Sequence, residues 1–187
     1  MNATPPTCLA FLLAAALLGC SAPAPDTDAS SADVPTGDPA FTPLTTTWVI
    51  DNVGVLSTPT VQESSALCQR LQDDGIAELV VLIQNSVHHP VDYATHYGRW
   101  LKLGRKGSST EGGNNGIVWL IRPDAPDKMT YSIGRGLPRL TSGHMVDIIN
   151  QAKDYFNFNN YDEGVRALVR LTDASLRKLQ TEKGESP

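Results

Sequence analysis

Apolar and polar residues follow one another along the chain in a pattern that predicts four strands. Two continuous apolar runs, Leu79–Ile83 and Gly116–Ile121, are rich in β-branched residues, which is typical of strands buried on both faces. Shorter apolar runs at Thr47–Ile50 and Met129–Ile133 predict a first and a fourth strand. The polar turn between the last two runs is too short for a crossover helix, so these strands should pair antiparallel.

Apolar residues at helical spacing predict four helices between and after the strands. The first includes Thr60–Glu63, which has the form of a capping box, and should end at Gly75. The second begins at Pro90, the third opens at Thr141, and the fourth starts at about Asp162. The order β-α-β-α-β-β-α-α predicts a single α/β/α sandwich with a small mixed sheet. The second helix should bury Val91, Ala94, Tyr97 and Leu101.

The beginning of the chain has a different pattern. An apolar run from Cys8 to Leu18 is too short to span a bilayer and is followed by a small residue, as in secretory signals. Cys20 comes directly afterwards, and this segment resembles the lipobox of bacterial lipoproteins, whose cysteine becomes the acylated first residue of the mature protein. We therefore expect a signal peptide over residues 1–19 and lipid attachment at Cys20.

The segment after Cys20 is rich in Ala, Ser, Thr, Asp and Pro. Such a composition buries too little apolar surface to offset chain entropy, so it predicts a flexible acidic tether over residues 20–43. A folded domain should then cover residues 44–181, and residues 182–187 should form a disordered tail. With a lipid at Cys20, the chain is expected in the bacterial cell envelope, on the periplasmic face of the outer membrane, with the bilayer as one partner.

Charge and cysteine content narrow the possible partners. The chain has 15 basic and 20 acidic residues. Removing the four Asp residues of the tether leaves 16 acidic residues, a near balance without the clustered positive charge that nucleic-acid binding needs. Cys68 is the one cysteine remaining after signal cleavage and acylation, so no intramolecular disulfide is expected. Its place on an apolar helix face predicts a buried, inert thiol.

The common catalytic signatures are missing from the sequence. It contains no G-x-S-x-G, H-E-x-x-H, P-loop or C-x-x-C pattern. Gly134-Arg135-Gly136 lacks the third glycine of a dinucleotide-binding loop, so a tight bend with positive φ is the better interpretation. The four histidines do not have the spacing of converging zinc ligands and are expected to be exposed.

Polar residues at the ends of the predicted strands are the remaining candidates for a site. Asp51 closes the first strand, and Asn114 and Asn115 precede the third. Carboxylate and amide oxygens are ligands for calcium, but turns and helix caps use the same residue types. If the strand ending at Ile133 runs parallel to the first strand, Asp51, Asn114 and Gly134 share one sheet edge. If it does not, they are separated.

The chain resembles the TPM-domain family over nearly all of residues 46–174. The resemblance implies an α/β sandwich that is exported and tethered to a membrane. It marks Asp51, Asn115 and the bend at Gly134 and Gly136 as the edge of a site. The segments that carry the resemblance are Val49–Ser57, Lys102–Gly104, Asn115–Ile121, Ser132–Leu137 and Tyr161–Val165.

The family's known functions are diverse. They include plant thylakoid relatives described as acid phosphatases, a nematode auxiliary subunit of an acetylcholine receptor, and bacterial calcium-binding members. In this chain Asn114 and Asn160 stand where the family often has Asp. Each change removes a negative charge and a strong cation ligand, which would weaken metal-assisted phosphoryl chemistry more than a neutral binding cleft.

Three functions therefore remain open. The favoured one is a non-enzymatic binding or accessory lipoprotein that docks on, or helps to maintain, another envelope protein. The alternatives are a metal-dependent acid phosphatase with Asp51 as its main ion ligand, and a calcium-binding module without catalysis. The candidate residues for a metal or ligand site are Asp51, Asn114, Asn115, Gly134, Arg135 and Gly136.

Overall fold

A computed structural model of the chain describes residues 41–44, 46–104 and 114–184. The predicted signal peptide, Cys20, most of the tether and the end of the predicted tail lie outside these residues. The eight elements have the predicted order. The strands are β1 (Val49–Asp51), β2 (Glu78–Ile83), β3 (Gly116–Ile121) and β4 (Met129–Ile133). The helices are α1 (Thr58–Asp73), α2 (Pro90–Trp100), α3 (Ser142–Asn157) and α4 (Tyr161–Gly184).

The strands form one sheet in the order β1-β2-β3-β4. Strands β1, β2 and β3 are parallel, and β4 runs antiparallel to β3, as the short turn predicts. Val81 of β2 pairs with Val49 and with Trp119, and Trp119 pairs in turn with Tyr131. We call the end at which β1, β2 and β3 finish the carboxyl end, and the opposite end, at which β4 finishes, the amino end.

Helices cover both faces of the sheet, so the predicted α/β/α sandwich is confirmed. Alternate residues of a strand point to opposite faces. Val81 and Trp119 pack in a large cluster with residues of α1, α3 and α4. Val80 and Val118 belong to a smaller cluster with residues of α2. The Trp119 indole N–H donates to the Thr172 hydroxyl of α4 at 3.1 Å. The one polar group of this large buried ring therefore has a hydrogen-bond partner.

The start of α1 differs from the prediction. The helix begins at Thr58, with Pro59 in its first turn, so Thr60–Glu63 is not its cap. The Thr60 hydroxyl is buried and lies 3.0 Å from the hydroxyl of Ser57. Glu63 forms an ion pair with Arg166 of α4. The predicted end is confirmed, because α1 stops at Asp73 and Gly75 follows with a φ of 68°.

Ordered packing begins earlier than the sequence predicts. Phe41, assigned to the tether above, is 9% exposed and packs against Tyr93, Tyr97 and Trp100 of α2. The Tyr97 hydroxyl donates to the carbonyl oxygen of Thr42 at 2.6 Å. Burial, with a smaller effect from Tyr93, raises the pKa of Tyr97 far above its usual value. We call residues 41–44 the strap, because aromatic contacts hold them against α2.

One residue of α2 that the sequence predicts to be buried is exposed. Ala94 and Tyr97 are buried as predicted, but Val91 is 60% exposed. Cys68 is fully buried, so the prediction of a buried thiol is confirmed, and burial raises its pKa to about 12, which disfavours the reactive thiolate. Within residues 41–44, 46–104 and 114–184, no helix is both long and apolar enough to cross a bilayer.

Candidate functional site

Asp51 lies at the carboxyl end, where β1 passes into the loop that leads to α1. Its Oδ1 accepts hydrogen bonds from the backbone N–H groups of Val53 at 3.0 Å and Gly54 at 2.8 Å. Its Oδ2 accepts a third bond from the N–H of Leu56 at 2.7 Å. These bonds hold the loop around the carboxylate, which is the turn chemistry that Asp favours. Asp51 therefore has a structural role that the sequence left open.

Asp162, in the first turn of α4, holds the other side of the same loop. Its Oδ1 accepts a hydrogen bond from the backbone N–H of Ser57 at 2.9 Å. Burial alone would raise the pKa of the Asp162 carboxyl group, but hydrogen bonds from Ser57 and Thr60 and the charge of Arg166 outweigh it. The pKa therefore lies below its ordinary value. A carboxylate here also complements the positive amino termini of α1 and α4.

Amide side chains connect the strap to the ends of β1 and β2. The Asn52 Oδ1 accepts a hydrogen bond from the Thr42 hydroxyl at 3.0 Å. The Asn52 Nδ2 donates to the Gln84 Oε1 at 2.7 Å. The first residues of the strap therefore lie at the carboxyl end, beside the loop that Asp51 organises.

The β3–β4 turn adds two basic side chains to the carboxyl end. Lys128 Nζ donates to the carbonyl oxygen of Pro123 at 2.7 Å and lies 3.3 Å from the Tyr161 hydroxyl of α4. Arg122 Nη2 donates to the carbonyl oxygen of Asp127 at 2.6 Å. These contacts fix both cations against the turn and Lys128 also against α4.

Two buried polar atoms at the carboxyl end have no hydrogen-bond partner in the described part of the chain. They are Oδ1 of Asn85 and Nε of Arg122, which follow the neighbouring strands β2 and β3. Buried polar atoms in folded proteins are nearly always hydrogen-bonded. One is an acceptor and the other a donor, at the end of an open α/β sheet where ligands usually bind. Neither residue is among the candidates predicted from the sequence, although polar side chains at the ends of two buried strands were a visible signal.

The loop after β2 is strained beside these atoms. Ser86 has a φ of 59° and His89 a φ of 47°, and neither is a glycine. Positive φ is rare outside Gly, Asn, Asp and His, so Ser86 is the strained residue of the two, and strain of this kind is concentrated at functional sites. The Ser86 N–H donates to Asp124 Oδ2 at 2.7 Å, which ties the strained loop to the β3–β4 turn.

The amino end is organised sterically around Asn114. A Cβ atom added to Gly136 would lie 2.6 Å from the carbonyl carbon and oxygen of Asn114. A Cβ atom at Gly134 would approach Asn114 more closely still, one at Gly104 would lie 2.7 Å from the Asn114 Oδ1, and one at Gly116 would lie 2.6 Å from Leu103 and 3.4 Å from the Asn114 Oδ1. The prediction of positive φ at Gly134 and Gly136 is wrong, because neither has such an angle. These glycines are needed for close backbone approach, and we call the four glycines with Asn114 the glycine knot.

The other candidates at the amino end are also part of local packing. Asn115 is 5% exposed, its Nδ2 donates to the carbonyl oxygen of Ile76 at 3.3 Å, and its own carbonyl accepts from the N–H of Glu78. The Oδ1 of Asn115 is buried without a hydrogen-bond partner among the described residues. Arg135 has an exposed side chain between the two glycines of its bend.

The six candidate residues therefore do not form one site. Asp51 lies at the carboxyl end, whereas Asn114, Asn115, Gly134, Arg135 and Gly136 lie at the amino end. The reason is topological, since β1 and β3 are parallel and β4 is antiparallel to them. The end of β1 and the start of β3 are then at opposite ends of the sheet, and β4 finishes beside the start of β3.

Histidine and acidic side chains are the remaining candidate metal ligands. His88 and His89 are exposed as predicted, whereas His96 and His144 are half-buried. His144 Nδ1 accepts a hydrogen bond from the N–H of Thr141 at 3.1 Å and so caps α3. Over the described ranges, no three His, Cys, Asp or Glu side chains are placed to hold a metal ion together.

Comparisons with known proteins agree with this architecture. A model of the TPM domain matches residues 49–175, which is more than half of the 187 residues. The solution structure of the N-terminal domain of a protein from P. gingivalis is 25% identical, with a TM-score of 0.55 over 71% of this chain and 85% of that chain.

A second solved structure supports the fold alone. The N-terminal domain of the cg2496 protein from Corynebacterium glutamicum is 14% identical, with a TM-score of 0.53. The alignment covers 73% of this chain and 84% of that chain. Comparison with curated proteins gives no match.

Proposed function

Because the chain belongs to the TPM-domain family, we propose that it is a membrane-tethered accessory lipoprotein of the bacterial envelope whose carboxyl end binds another envelope protein. The bilayer would hold it through an acylated Cys20 on the periplasmic face of the outer membrane. A tether raises the effective concentration of a binding surface near its membrane partners.

The observation that carries this proposal is the use of the Asp51 carboxylate. Three backbone N–H groups already bind its two oxygens, so its lone pairs are largely committed to the loop before α1. A catalytic ion ligand should instead direct its oxygens at the ion. A carboxylate that shapes a loop fits a binding surface better than a phosphoryl-transfer site.

Polar atoms without hydrogen-bond partners among the described residues also favour the carboxyl end of the sheet as the binding surface. Asn85 Oδ1 and Arg122 Nε lie at the ends of neighbouring strands, beside the strained residue Ser86. The strap also reaches this end, through the hydrogen bond from Thr42 to Asn52.

Site-specific photo-cross-linking in intact envelopes tests this surface. A photoreactive residue replaces His88, which is exposed at the carboxyl end, or Asp73, which is exposed where α1 ends near the amino end. The proposal predicts a discrete heterologous adduct from position 88 and much less from position 73. Equal adducts from both positions, or none from position 88, would contradict it.

Lipid attachment has its own test, because it is independent of the binding surface. Inhibition of lipoprotein signal cleavage should leave a larger precursor in cells. Cys20→Ser should block normal maturation and prevent incorporation of labelled fatty acid. A Cys20→Ser chain that matures and is released like the wild type would show that the cysteine is not the attachment point.

Calcium binding without catalysis is the second candidate. The Asp51 and Asp162 carboxylates contact the same short loop, and an ion there would have to use the oxygen lone pairs that the backbone N–H groups leave free. A bound ion would raise the melting temperature of the purified chain as calcium is added, and Asp162→Asn would weaken the effect. A melting temperature that does not respond to millimolar calcium would remove this candidate.

A metal-dependent acid phosphatase is the third candidate. The full chain should then hydrolyse a generic aryl phosphate, and Asp51→Asn should abolish turnover. Hydrolysis equal in the wild type and the variant would eliminate a phosphatase that uses Asp51.

A further inference from the structure

A row of side-chain hydrogen bonds joins the strap to the loop after β2. The Thr42 hydroxyl donates to Asn52 Oδ1 at 3.0 Å, and Asn52 Nδ2 donates to Gln84 Oε1 at 2.7 Å. Gln84 Nε2 in turn donates to the backbone carbonyl oxygen of Asn85 at 3.2 Å. The row therefore ends at the residue whose Oδ1 is buried without a partner in the described part of the chain.

The peptide group between Asn85 and Ser86 is held from both sides. Its carbonyl oxygen accepts the bond from Gln84, and its N–H donates to Asp124 Oδ2 of the β3–β4 turn at 2.7 Å. This peptide group leads into Ser86, whose φ is 59°. Left-handed backbone is disfavoured by about tenfold for a residue with a Cβ atom, so an unconstrained serine would leave it. Strained residues persist where surrounding contacts over-determine them, and these two bonds are such contacts.

Side chains of α2 hold the strap, which has no strand pairing of its own. The Phe41 ring lies 5.1 Å from that of Tyr93 and 5.4 Å from that of Tyr97, between centroids. The Tyr97 hydroxyl donates to the carbonyl oxygen of Thr42. Residues 41–44 lie in neither a helix nor a strand. Such a segment opens at a lower free energy than the core strands, so it can detach while the sheet stays folded.

We propose that the strap is a latch that controls the binding surface at the carboxyl end. While the strap is docked, the row of hydrogen bonds holds the Asn85–Ser86 peptide group in its strained orientation. When the strap detaches, Gln84 loses its fixed position, Ser86 relaxes and the Asn85 side chain moves. Ser86 is thus the two-state element through which the strap and the surface influence each other.

Control of partner binding by this latch rests on the function proposed above. A partner that fits the strained loop binds the docked state alone, so its apparent affinity falls in proportion to the docked fraction. The coupling is reciprocal, and a bound partner therefore also keeps the strap docked.

Two substitutions at Thr42 test the latch in the absence of any partner. Thr42→Val removes the hydroxyl that donates to Asn52, Thr42→Ser keeps it, and both keep the backbone carbonyl that Tyr97 binds. The measurement is amide hydrogen exchange of the Ser86 N–H, by NMR on the purified full chain in detergent micelles. Loss of one side-chain hydrogen bond shifts an equilibrium by about fivefold, so Thr42→Val should accelerate this exchange by that factor. Thr42→Ser should exchange at the wild-type rate, and Phe41→Ala should exchange faster than Thr42→Val.

A substitution at Ser86 separates the latch from a general effect of the strap on stability. Asn adopts positive φ several times more often than most residues. Ser86 is exposed, so Ser86→Asn fits the loop and removes most of the tendency to relax. Thr42→Val should then have little effect on exchange of the amide at position 86. An equal effect with and without Ser86→Asn, or unchanged Ser86 exchange in both Thr42→Val and Phe41→Ala, would overturn the latch.

Cross-linking through position 88 tests the control of binding. Thr42→Val should lower the yield of the envelope adduct by about fivefold at limiting partner, and Thr42→Ser should restore it. An undiminished adduct in Thr42→Val would overturn control of binding by the strap while leaving the proposed function intact. If the wild type gives no adduct, the proposed function fails, and the Ser86 exchange rates alone decide whether the strap holds the peptide group.

Discussion

Polar residues and glycines occur at both ends of the sheet, but their structural roles differ. At the amino end they allow close packing, and at the carboxyl end they form hydrogen bonds. At the amino end, Gly136 and its neighbouring glycines leave room for the backbone of Asn114, and Asn115 beside it is buried with its Oδ1 unpartnered among the described residues. At the carboxyl end, Asp51 and Asp162 hold a loop by hydrogen bonds, while Asn85 and Arg122 retain buried polar atoms without partners. A motif of small and polar residues therefore does not identify a binding site until the directions of the strands are known.

The largest effect should come from filling the glycine knot. A methyl group at Gly136→Ala would lie within 2.6 Å of the Asn114 backbone, which cannot move without disturbing β3. We expect a loss of about 3 kcal/mol in the free energy of unfolding, near the upper end for overpacked sites. Urea denaturation followed by circular dichroism measures it.

Gly143→Ala is the matched control for this substitution. A Cβ atom at Gly143 would meet only the Thr141 hydroxyl at 3.5 Å, and alanine suits the first turns of a helix. Its stability should stay equal or rise by up to about 1 kcal/mol. Equal losses for both alanine variants would show that the knot is not set by close packing.

The next largest effect should come from the loop at the carboxyl end. Asp51→Ala leaves three backbone N–H groups without their acceptor, which should cost about 2 kcal/mol of unfolding free energy. Asp154→Ala, which removes an exposed carboxylate on α3, should change stability by less than about 0.5 kcal/mol. If Asp51→Ala were as neutral as Asp154→Ala, the carboxylate would not organise the loop.

The smallest effect should be a pH dependence that originates at Asp162. Its pKa is lower in the folded chain than in an unfolded one, so its contribution to stability is complete above the unfolded pKa. That contribution disappears as the pH falls through the folded pKa. The wild type should therefore exceed Asp162→Asn in stability at neutral pH, and the difference should shrink in acid. Unfolding curves at several pH values between 7 and 3 would show a constant difference if Asp162 had no such role.

Sequence patterns predict the strands and helices because the spacing of apolar residues indicates which side of each element is buried. The runs that became β2 and β3 and the Asp162 start of α4 were visible in this way. Phe41 was missed because one aromatic residue in a polar segment has no period, and its partners lie on α2. The bond from Ser57 to Asp162 joins residues 105 positions apart, which no local pattern encodes.

The candidate site was predicted less well, for a geometric reason. Glycine, Asn and Asp suit turns, close approaches and ligand sites alike, so the residue types do not separate these roles. The predicted site needed Asp51 and Asn114 to lie at the same end of the sheet. The parallel pairing of β1, β2 and β3 separates them instead.

The central claim is that the carboxyl end is the binding surface. It is tested most directly by measuring how much envelope partner is cross-linked per folded molecule. The double variant Asn85→Ala with Arg122→Ala removes the side chains that carry the two unpartnered atoms at the carboxyl end. We predict that this variant retains its fold by circular dichroism but loses most of the partner captured through position 88. Undiminished recovery from the folded variant would contradict the claim that the carboxyl end is the binding surface.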